Sequence, residues 1–322
     1  MKRKLMAILI LTTSTLFITG CNDSEIDPSS LFTDWTNSEI KSLPFFPEGI
    51  NSETNPSSND PGRNGPYETD SYQSSRLNHR DIGDAEMFFP TNAGSGPFAA
   101  TTVTGGWLNR WEHVRWVVDR YATHGMIVLA LTPPNRVMAK PLEWESLQYA
   151  GIKVLLEENN NPDSPIYQKV DENGVGICGY SMGGGGIIRV ADRLEDKVSS
   201  IVVLAPWLAE KSQAAQVRIP IILISGTGDK LSLQGGIGRE YNQIAPDTPK
   251  MWANFDGLTH RDIMIFFGRE SDKQKVSTYM VSWHKCYLEG KIREFMPYLI
   301  GDKHDDHMSN GWFADFKYEN VP

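Results

Sequence analysis

Val175-Gly-Ile-Cys-Gly-Tyr-Ser-Met-Gly-Gly-Gly-Gly186 is the stretch of sequence that decides the fold. It contains the pattern G-x-S-x-G, with Ser181 between Gly179 and Gly183. An apolar run of strand character leads directly into the serine, and a helical pattern follows it. A sharp turn of this kind strains the serine backbone and holds the hydroxyl above the sheet edge, and a Cβ at either glycine would collide with neighbouring backbone. The context therefore predicts a serine nucleophile at the end of a central strand.

Apolar, β-branched runs alternate with amphipathic helical stretches on both sides of this turn, which predicts a mostly parallel sheet covered by helices on both faces. The predicted strands are Glu68–Arg76, Ala85–Pro90, Phe98–Gly105, Met126–Thr132, Gly174–Tyr180, Val198–Ala205, Ile219–Ser225 and Lys250–Phe255. The predicted helices are Arg110–His124, Pro141–Glu158, Gly184–Leu194 and Asp272–Leu288. With an antiparallel opening and the serine turn, this order predicts an α/β protein with the α/β-hydrolase fold.

A serine hydroxyl attacks poorly until a base takes its proton, and this fold supplies an acid and then a histidine after the serine. His260 follows the predicted strand Lys250–Phe255 and a turn, where a loop would bring it over Ser181. It is the predicted base. Asp229 follows an apolar strand at the carboxyl edge of the sheet and is the predicted acid. Asp256 is the alternative acid, although it lies only four residues before the histidine.

Two backbone N–H groups are expected to stabilise the negative oxygen that forms when the serine attacks a carbonyl. One belongs to Met182, the residue after the nucleophile, and the other to Trp107 in the loop Thr104–Trp107. Gly105 and Gly106 let this loop turn inward, where Trp107 would present its amide and its indole to the cleft. The alternative is an ordinary glycine turn beside a core tryptophan.

The connection Pro206–Arg218 separates two predicted core strands by only thirteen residues. Lipases and related hydrolases often insert a helical cap at this point, and thirteen residues are too few to build one. The sequence therefore predicts no cap domain and an open cleft with an exposed aromatic lining.

The serine turn and five other motifs resemble the bacterial cutinase-like polyester hydrolases, a family that includes the poly(ethylene terephthalate) hydrolases. The motifs are Gly65-Pro-Tyr67, Phe89-Pro-Thr-Asn-Ala-Gly94, His124-Gly125, Ser164-Pro-Ile-Tyr-Gln-Lys-Val170, Gly179-Tyr-Ser-Met-Gly-Gly-Gly-Gly186 and Ala205-Pro-Trp207. The resemblance runs from the first motif to the closing helix. It implies Ser181, Asp229 and His260 as a catalytic triad, with Trp107 and Met182 as the oxyanion positions.

The resemblance also implies an aromatic clamp in which Trp207 and Trp107 face the acyl part of an ester, with Tyr180 and Leu231 beside it. From the residues alone, Trp207 at a strand end fits the core as well as a clamp. Trp107 stands where Tyr or Phe is usual in the family, and Tyr180 where His or Trp is usual. Arg261, beside the substrate and next to the base, replaces a small or aromatic residue. These departures leave the ester chemistry intact and bear on the substrate.

These features predict a serine carboxylic-ester hydrolase with an open, aromatic-lined cleft. It would act through an acyl-enzyme, without a cofactor, on bulky or polymeric esters. A second interpretation is an acyl esterase for small or polysaccharide acyl esters. A non-enzyme interpretation is a lipid-anchored binding protein with a hydrolase-like core, and the intact order of Ser, Asp and His argues against it.

The net charge of −9 comes without a basic stripe, which argues against nucleic acid as a partner. Cys178 and Cys286 are predicted to be buried free thiols, and the C-terminal disulfide of the resembled family is not evident. From Pro297 onward the sequence departs most from that family and is predicted to be a charged, solvated tail. The pair in His304-Asp-Asp-His307 matches no defined metal site, so no metal is expected.

The N-terminus has a basic start and a short apolar run that ends in Ile18-Thr-Gly-Cys21, the pattern of a lipoprotein signal peptide. Cys21 is the predicted lipidation site, and Asn22 after it favours the outer membrane. The alternative is a plain signal peptide or short anchor with an incidental cysteine. An Asn-, Ser- and Pro-rich segment follows, which is typical of a flexible tether. The predicted organisation is a signal peptide at 1–20, a tether at 21–65 and a catalytic domain at 66–322, in an exported, membrane-anchored monomer.

Overall fold

The central sheet has nine strands within the residues that the computed structural model describes, which are 60–137, 139–208 and 213–322. The strands are β1 (Thr69–Tyr72), β2 (Asp84–Pro90), β3 (Phe98–Thr104), β4 (Ile127–Thr132), β5 (Val170–Tyr180), β6 (Ser200–Leu204), β7 (Ile221–Gly226), β8 (Lys250–Phe255) and β9 (Phe313–Glu319). Their order is β1-β2-β4-β3-β5-β6-β7-β8-β9. The pairs β1–β2, β2–β4 and β8–β9 are antiparallel, and the other pairs are parallel.

Helices cover both faces of this sheet, as the α/β-hydrolase fold requires. They are α1 (Arg115–Thr123), α2 (Pro141–Asn159), α3 (Met182–Val190), α4 (Gln234–Gln243), α5 (Glu270–Glu289), α6 (Ile292–Ile300) and α7 (Asp302–Ser309). Along β4, Ile127 and Leu129 belong to the core cluster on one face, while Val128 and Ala130 belong to the cluster on the other. Because successive side chains of a strand point to opposite faces, this wholly apolar strand is buried on both sides.

The strand register brings the loops that carry the predicted site residues to one edge of the sheet. β5 pairs with β3 and β6 so that Gly179 is opposite Thr104 and Tyr180 is opposite Leu204. β7 and β8 continue the parallel arrangement. The loops after β3, β5, β6, β7 and β8 therefore leave the sheet at the same carboxyl edge, where open α/β sheets bind their ligands.

The folded unit begins before the expected boundary between the tether and the catalytic domain. The backbone carbonyl of Pro61 accepts a 2.6 Å hydrogen bond from the hydroxyl of Ser277 on α5. The backbone N–H of Gly65 donates to Oγ1 of Thr123 at 2.9 Å. The assignment of residues 61–65 to a flexible tether is therefore wrong, because these residues pack on α1 and α5. The predicted signal peptide and Cys21 lie outside the described residues.

The prediction of a solvated tail from Pro297 onward is wrong. Pro297 lies within α6, α7 follows, and β9 closes the sheet beside β8. The Nδ1 atoms of His304 and His307 lie 2.8 and 3.1 Å from the hydroxyl of Tyr279 on α5. The charged residues of this segment do not indicate a tail, because a surface helix and an edge strand also expose one side to water and carry charges there.

The connection between β6 and β7 adds no domain in its described part, which contains only the short 3-10 helix Ala214–Gln216. α4 was not predicted, because its three glycines disfavour a helix in isolation. Cys178 and Cys286 are buried free thiols, as predicted. None of the described helices combines the length and the apolar character needed to cross a membrane.

Buried histidines predict that the fold loses stability in acid. His284 on α5 is fully buried, with Nε2 3.2 Å from Oγ1 of Thr101 and Nδ1 2.8 Å from Oγ of Ser200. Burial lowers its pKa to about 3, and burial also lowers the pKa of His124 to about 3. An unfolded chain binds a proton at each of these sites near pH 6.5, whereas the folded chain does not.

We therefore expect the melting temperature to be highest above pH 6.5 and to fall as the pH drops towards 4. Each such histidine removes about 1 kcal/mol of unfolding free energy per pH unit in this window. Differential scanning fluorimetry across pH 4 to 8 measures the effect. His284→Gln should be less stable at neutral pH but should show a shallower slope below pH 6.5. An unchanged slope in this variant would show that His284 is not a source of the acid sensitivity.

Candidate active site

Ser181 lies at the turn between β5 and α3 and has the left-handed backbone angles φ 55° and ψ −121°. Such angles are costly for a residue with a side chain and persist only where the surroundings enforce them. A Cβ on Gly179 would lie 2.7 Å from the backbone carbon of Gly183, and a Cβ on Gly183 would collide with the carbonyl oxygen of Gly105. The two flanking glycines are therefore required by close backbone approach.

The three residues predicted as a triad lie within hydrogen-bonding distance of one another. Nε2 of His260 is 2.9 Å from Oγ of Ser181, and Nδ1 of His260 is 2.7 Å from Oδ2 of Asp229. All three residues are buried. The alternative acid, Asp256, lies elsewhere, and its carboxylate accepts a hydrogen bond from Thr227. The geometry suits transfer of a proton from the serine to the imidazole.

The carboxylate of Asp229 is fixed by the loop that follows it. Its Oδ1 atom accepts hydrogen bonds from the backbone N–H groups of Leu231 and Ser232, each at 2.8 Å. The hydroxyl of Ser232 in turn donates to the carbonyl of Ala205 at the end of β6. With Oδ1 occupied in this way, Oδ2 is left to face the imidazole of His260.

The loop that carries His260 is held at several points. It forms a short 3-10 helix, His260–Ile263, in which Thr259 and Asp262 make a capping box. The indole N–H of Trp116 on α1 donates to the carbonyl of Ile263 at 2.6 Å. The backbone N–H of Ile265 donates to the carbonyl of His113 at 2.8 Å. Together, these bonds fix His260, the predicted base, in place after β8.

Both predicted oxyanion positions lie beside the serine. Met182 is the first residue of α3, where backbone N–H groups have no acceptor within the helix. The loop that bears Trp107 passes so close to the nucleophile that a Cβ on Gly106 would lie 2.5 Å from the Cβ of Ser181. The loop that bears Trp107 and the first residue of α3 therefore both lie beside Ser181.

Asn109 is a site residue that the sequence did not reveal. It is buried, and its Oδ1 atom accepts a 3.3 Å hydrogen bond from the backbone N–H of Gly106. Its Nδ2 atom lies 3.1 Å from Nδ1 of His113 and 3.4 Å from the sulfur of Met264. Asn109 thus joins the oxyanion loop to the loop of the base. Nothing in its spacing marks it in the sequence, because an asparagine in a loop is common and its link to Met264 joins segments 155 residues apart.

Two of the predicted aromatic substrate contacts differ from expectation. Tyr180 is 2% exposed, so its side chain offers no surface to a substrate. The prediction that Trp107 presents its indole N–H to the cleft is wrong, because this group donates to the carbonyl of Val137 at 2.8 Å. Trp207 is half-buried at the end of β6, and with Met182 it lines a shallow pocket.

Exposed apolar side chains lie on the loops that carry the acid and the base. On the loop after Asp229, Leu231 is 52% exposed and Leu233 61% exposed. On the loop after His260, Phe266 and Phe267 are exposed. The guanidinium of Arg261 lies 5.2 Å from the centroid of the Phe267 ring. We call Leu231, Leu233, Phe266 and Phe267 the apolar rim.

Comparison with known proteins identifies the family of the chain. The chain is 24% identical to cutinase 2 of Thermobifida cellulosilytica over 232 residues, which is 72% of this chain and 83% of that protein. Cutinase cut1 of Thermobifida fusca is also 24% identical over 232 residues, 72% of this chain and 68% of the relative. A bis(hydroxyethyl) terephthalate hydrolase of Streptomyces coelicolor is 22% identical over 230 residues, covering 71% and 70%. The PETase profile, described as PET hydrolase-like, matches residues 53–314, and the chain therefore belongs to the PET hydrolase-like family.

Proposed function

We propose that this carboxylic-ester hydrolase uses a serine mechanism and acts on bulky or polymeric apolar esters. The observation that carries the proposal is the chain of hydrogen bonds from Ser181 through His260 to Asp229, with separations of 2.9 and 2.7 Å. This arrangement supplies a nucleophile, a general base and a group that orients the base. The family relationship supports an ester as the substrate class.

The proposed reaction has two steps of similar chemistry. Nε2 of His260 takes the serine proton while Oγ of Ser181 attacks the ester carbonyl carbon. The amides of Met182 and Trp107 hold the negative oxygen of the tetrahedral intermediate, and Asp229 stabilises the imidazolium. The imidazolium gives its proton to the leaving alcohol as the C–O bond breaks, which leaves an acyl-enzyme.

Water completes the cycle. His260 takes a proton from a water molecule, whose oxygen attacks the acyl carbon at the same oxyanion position. Collapse of the second intermediate breaks the bond to Oγ, which regains the proton from the imidazolium. The acid product leaves, and Ser181 returns to its starting state.

The apolar rim supports the assignment to bulky esters. Its large, exposed side chains lie on the two loops that carry Asp229 and His260, and they offer apolar surface to a substrate there. The described part of the short β6–β7 connection contains no cap to cover that surface. Aromatic contacts with an acyl group are worth about 1 kcal/mol each. Arg261 adds a positive charge beside the rim, with its guanidinium 5.2 Å from the centroid of the Phe267 ring.

The alternative of an acyl esterase for small or polysaccharide acyl esters uses the same triad. It differs in needing no exposed apolar surface around the site. A binding protein without activity would not need the hydrogen bonds that join Ser181, His260 and Asp229. The family relationship also argues against this alternative.

Replacement of the triad residues tests the mechanism. Ser181→Ala should lower kcat on p-nitrophenyl butyrate by a factor on the order of 10⁴ or more, with the fold retained, and His260→Ala should be similarly damaging. Asp229→Asn should lower activity far more than Asp256→Asn, because only the carboxylate of Asp229 contacts the base. Circular dichroism checks the fold. An active Ser181→Ala enzyme would place the nucleophile elsewhere, and the reverse ranking of the two aspartates would overturn the choice of acid.

A substrate panel tests the substrate class. We expect turnover of p-nitrophenyl esters from C2 to C16, soluble product from amorphous poly(ethylene terephthalate) or polycaprolactone, and no jump in tributyrin hydrolysis at the solubility limit. The physical reason is that the described part of the β6–β7 connection contains no cap and that the apolar rim lies on the loops that carry Asp229 and His260. Product release is measured by chromatography, with the Ser181→Ala protein as the control. Turnover of acetyl esters alone would favour the small-ester alternative, and a sharp jump would reveal a lid.

We also propose that the protein is an exported lipoprotein anchored to the outer membrane through Cys21. The support is the sequence pattern alone, a basic start followed by a short apolar run and Ile18-Thr-Gly-Cys21. Cys21→Ser should abolish labelling with a radioactive fatty acid and shift the protein from the membrane fraction to the soluble fraction. The reason is that stable anchoring needs more than one acyl chain, and the lipoprotein modification supplies these chains at this one residue. Unchanged fractionation of this variant would contradict the proposal.

A further inference from the structure

The side chain of Tyr180 contacts the base and not the cleft. Its hydroxyl donates a 2.9 Å hydrogen bond to the backbone carbonyl of His260. Its ring centroid lies 5.0 Å from that of the imidazole, with 40° between the two planes. The residue is almost fully buried, so both contacts are shielded from water. Tyr180 therefore touches the base through its backbone and through its ring.

Because Tyr180 is next to Ser181 in the chain, its contacts link His260 to the nucleophile. It is the last residue of β5, immediately before Ser181. Other bonds hold the base loop to the segment before and within α1, through His113 and Trp116. The bond from Tyr180 instead ties the base to the strand from which the nucleophile projects.

We propose that Tyr180 is a positioning residue that sets the distance between Nε2 of His260 and Oγ of Ser181. The inference rests on the proposed serine mechanism and deepens it. It also assigns a role that the family resemblance did not imply, since that resemblance placed Tyr180 beside the substrate. The hydroxyl is what matters, because a phenylalanine would keep the ring contact and lose only the hydrogen bond.

The protonation state of Tyr180 suits this role. Burial raises the pKa of its phenol well above the usual value, with Asp229 adding to the effect. The other charged groups that act on it are Arg261 and Asp262 on the base loop. The phenol therefore keeps its proton and remains a donor across the neutral and mildly alkaline range.

The test compares Tyr180→Phe with Tyr121→Phe. Tyr121 on α1 is also fully buried, and its hydroxyl is directed at a backbone carbonyl, that of Met280, at 3.5 Å. For Tyr180→Phe we expect kcat on p-nitrophenyl butyrate to fall on the order of 10-fold with KM within about 2-fold, because small displacements of a base reduce rate and not binding. Tyr121→Phe should keep the wild-type kcat. Rates are expressed per active site titrated with a fluorophosphonate, so that only folded molecules count.

A double variant separates positioning from general stability. If Tyr180 acts through the base, Tyr180→Phe should leave the residual rate of a His260→Ala enzyme unchanged, because the group that it positions is gone. The acid limb of the kcat/KM pH profile should also move to lower pH in Tyr180→Phe, since a displaced imidazole lies farther from Asp229, which then stabilises the imidazolium less. If the wild type is active and Tyr180→Phe and Tyr121→Phe have the same kcat, the positioning role of Tyr180 is overturned and the proposed function is not. Loss in the His260→Ala background would do the same. An inactive wild type would instead overturn the proposed function.

Discussion

The strained turn at Ser181 is the constraint on which the rest of the site depends. A serine with φ 55° is tolerated only because β5 enters the turn from the middle of the sheet and α3 leaves it against the neighbouring loop. The glycines at 179 and 183 allow the chain to pass itself at this point. Any change that relaxes the turn would lower the hydroxyl into the sheet and separate it from His260.

The register of the parallel strands then determines what surrounds the serine. The loop after β3 brings Gly106 against the nucleophile, the loop after β7 brings Asp229, and the loop after β8 brings His260. Each loop is fixed by hydrogen bonds to a neighbour, as Asn109 and Ser232 illustrate. Catalysis of this kind gains most from groups that are already in place before the substrate binds.

The residues proposed for substrate contact differ from those proposed for the chemistry. The triad is buried, whereas the apolar rim consists of exposed side chains on the same two loops. Tyr180 illustrates the separation, because a residue that the family resemblance placed beside the substrate is buried here and donates its hydroxyl to the backbone carbonyl of His260.

The sequence by itself determined the turn at Ser181, the order in which Asp229 and His260 follow it, and most strands and helices, because these depend on local glycine placement and on apolar periodicity. β8 was predicted with its observed bounds, Lys250–Phe255. Only the tertiary structure decided that β9 completes the sheet, that Asn109 holds the oxyanion loop, and that Tyr180 faces the base. For β9 and Tyr180 the physical reason is that the contact joins segments far apart in the chain, and no local pattern records which distant strand or carbonyl will be met. Asn109 lies only three residues from Gly106, but no local pattern records that its amide also meets Met264, 155 residues away.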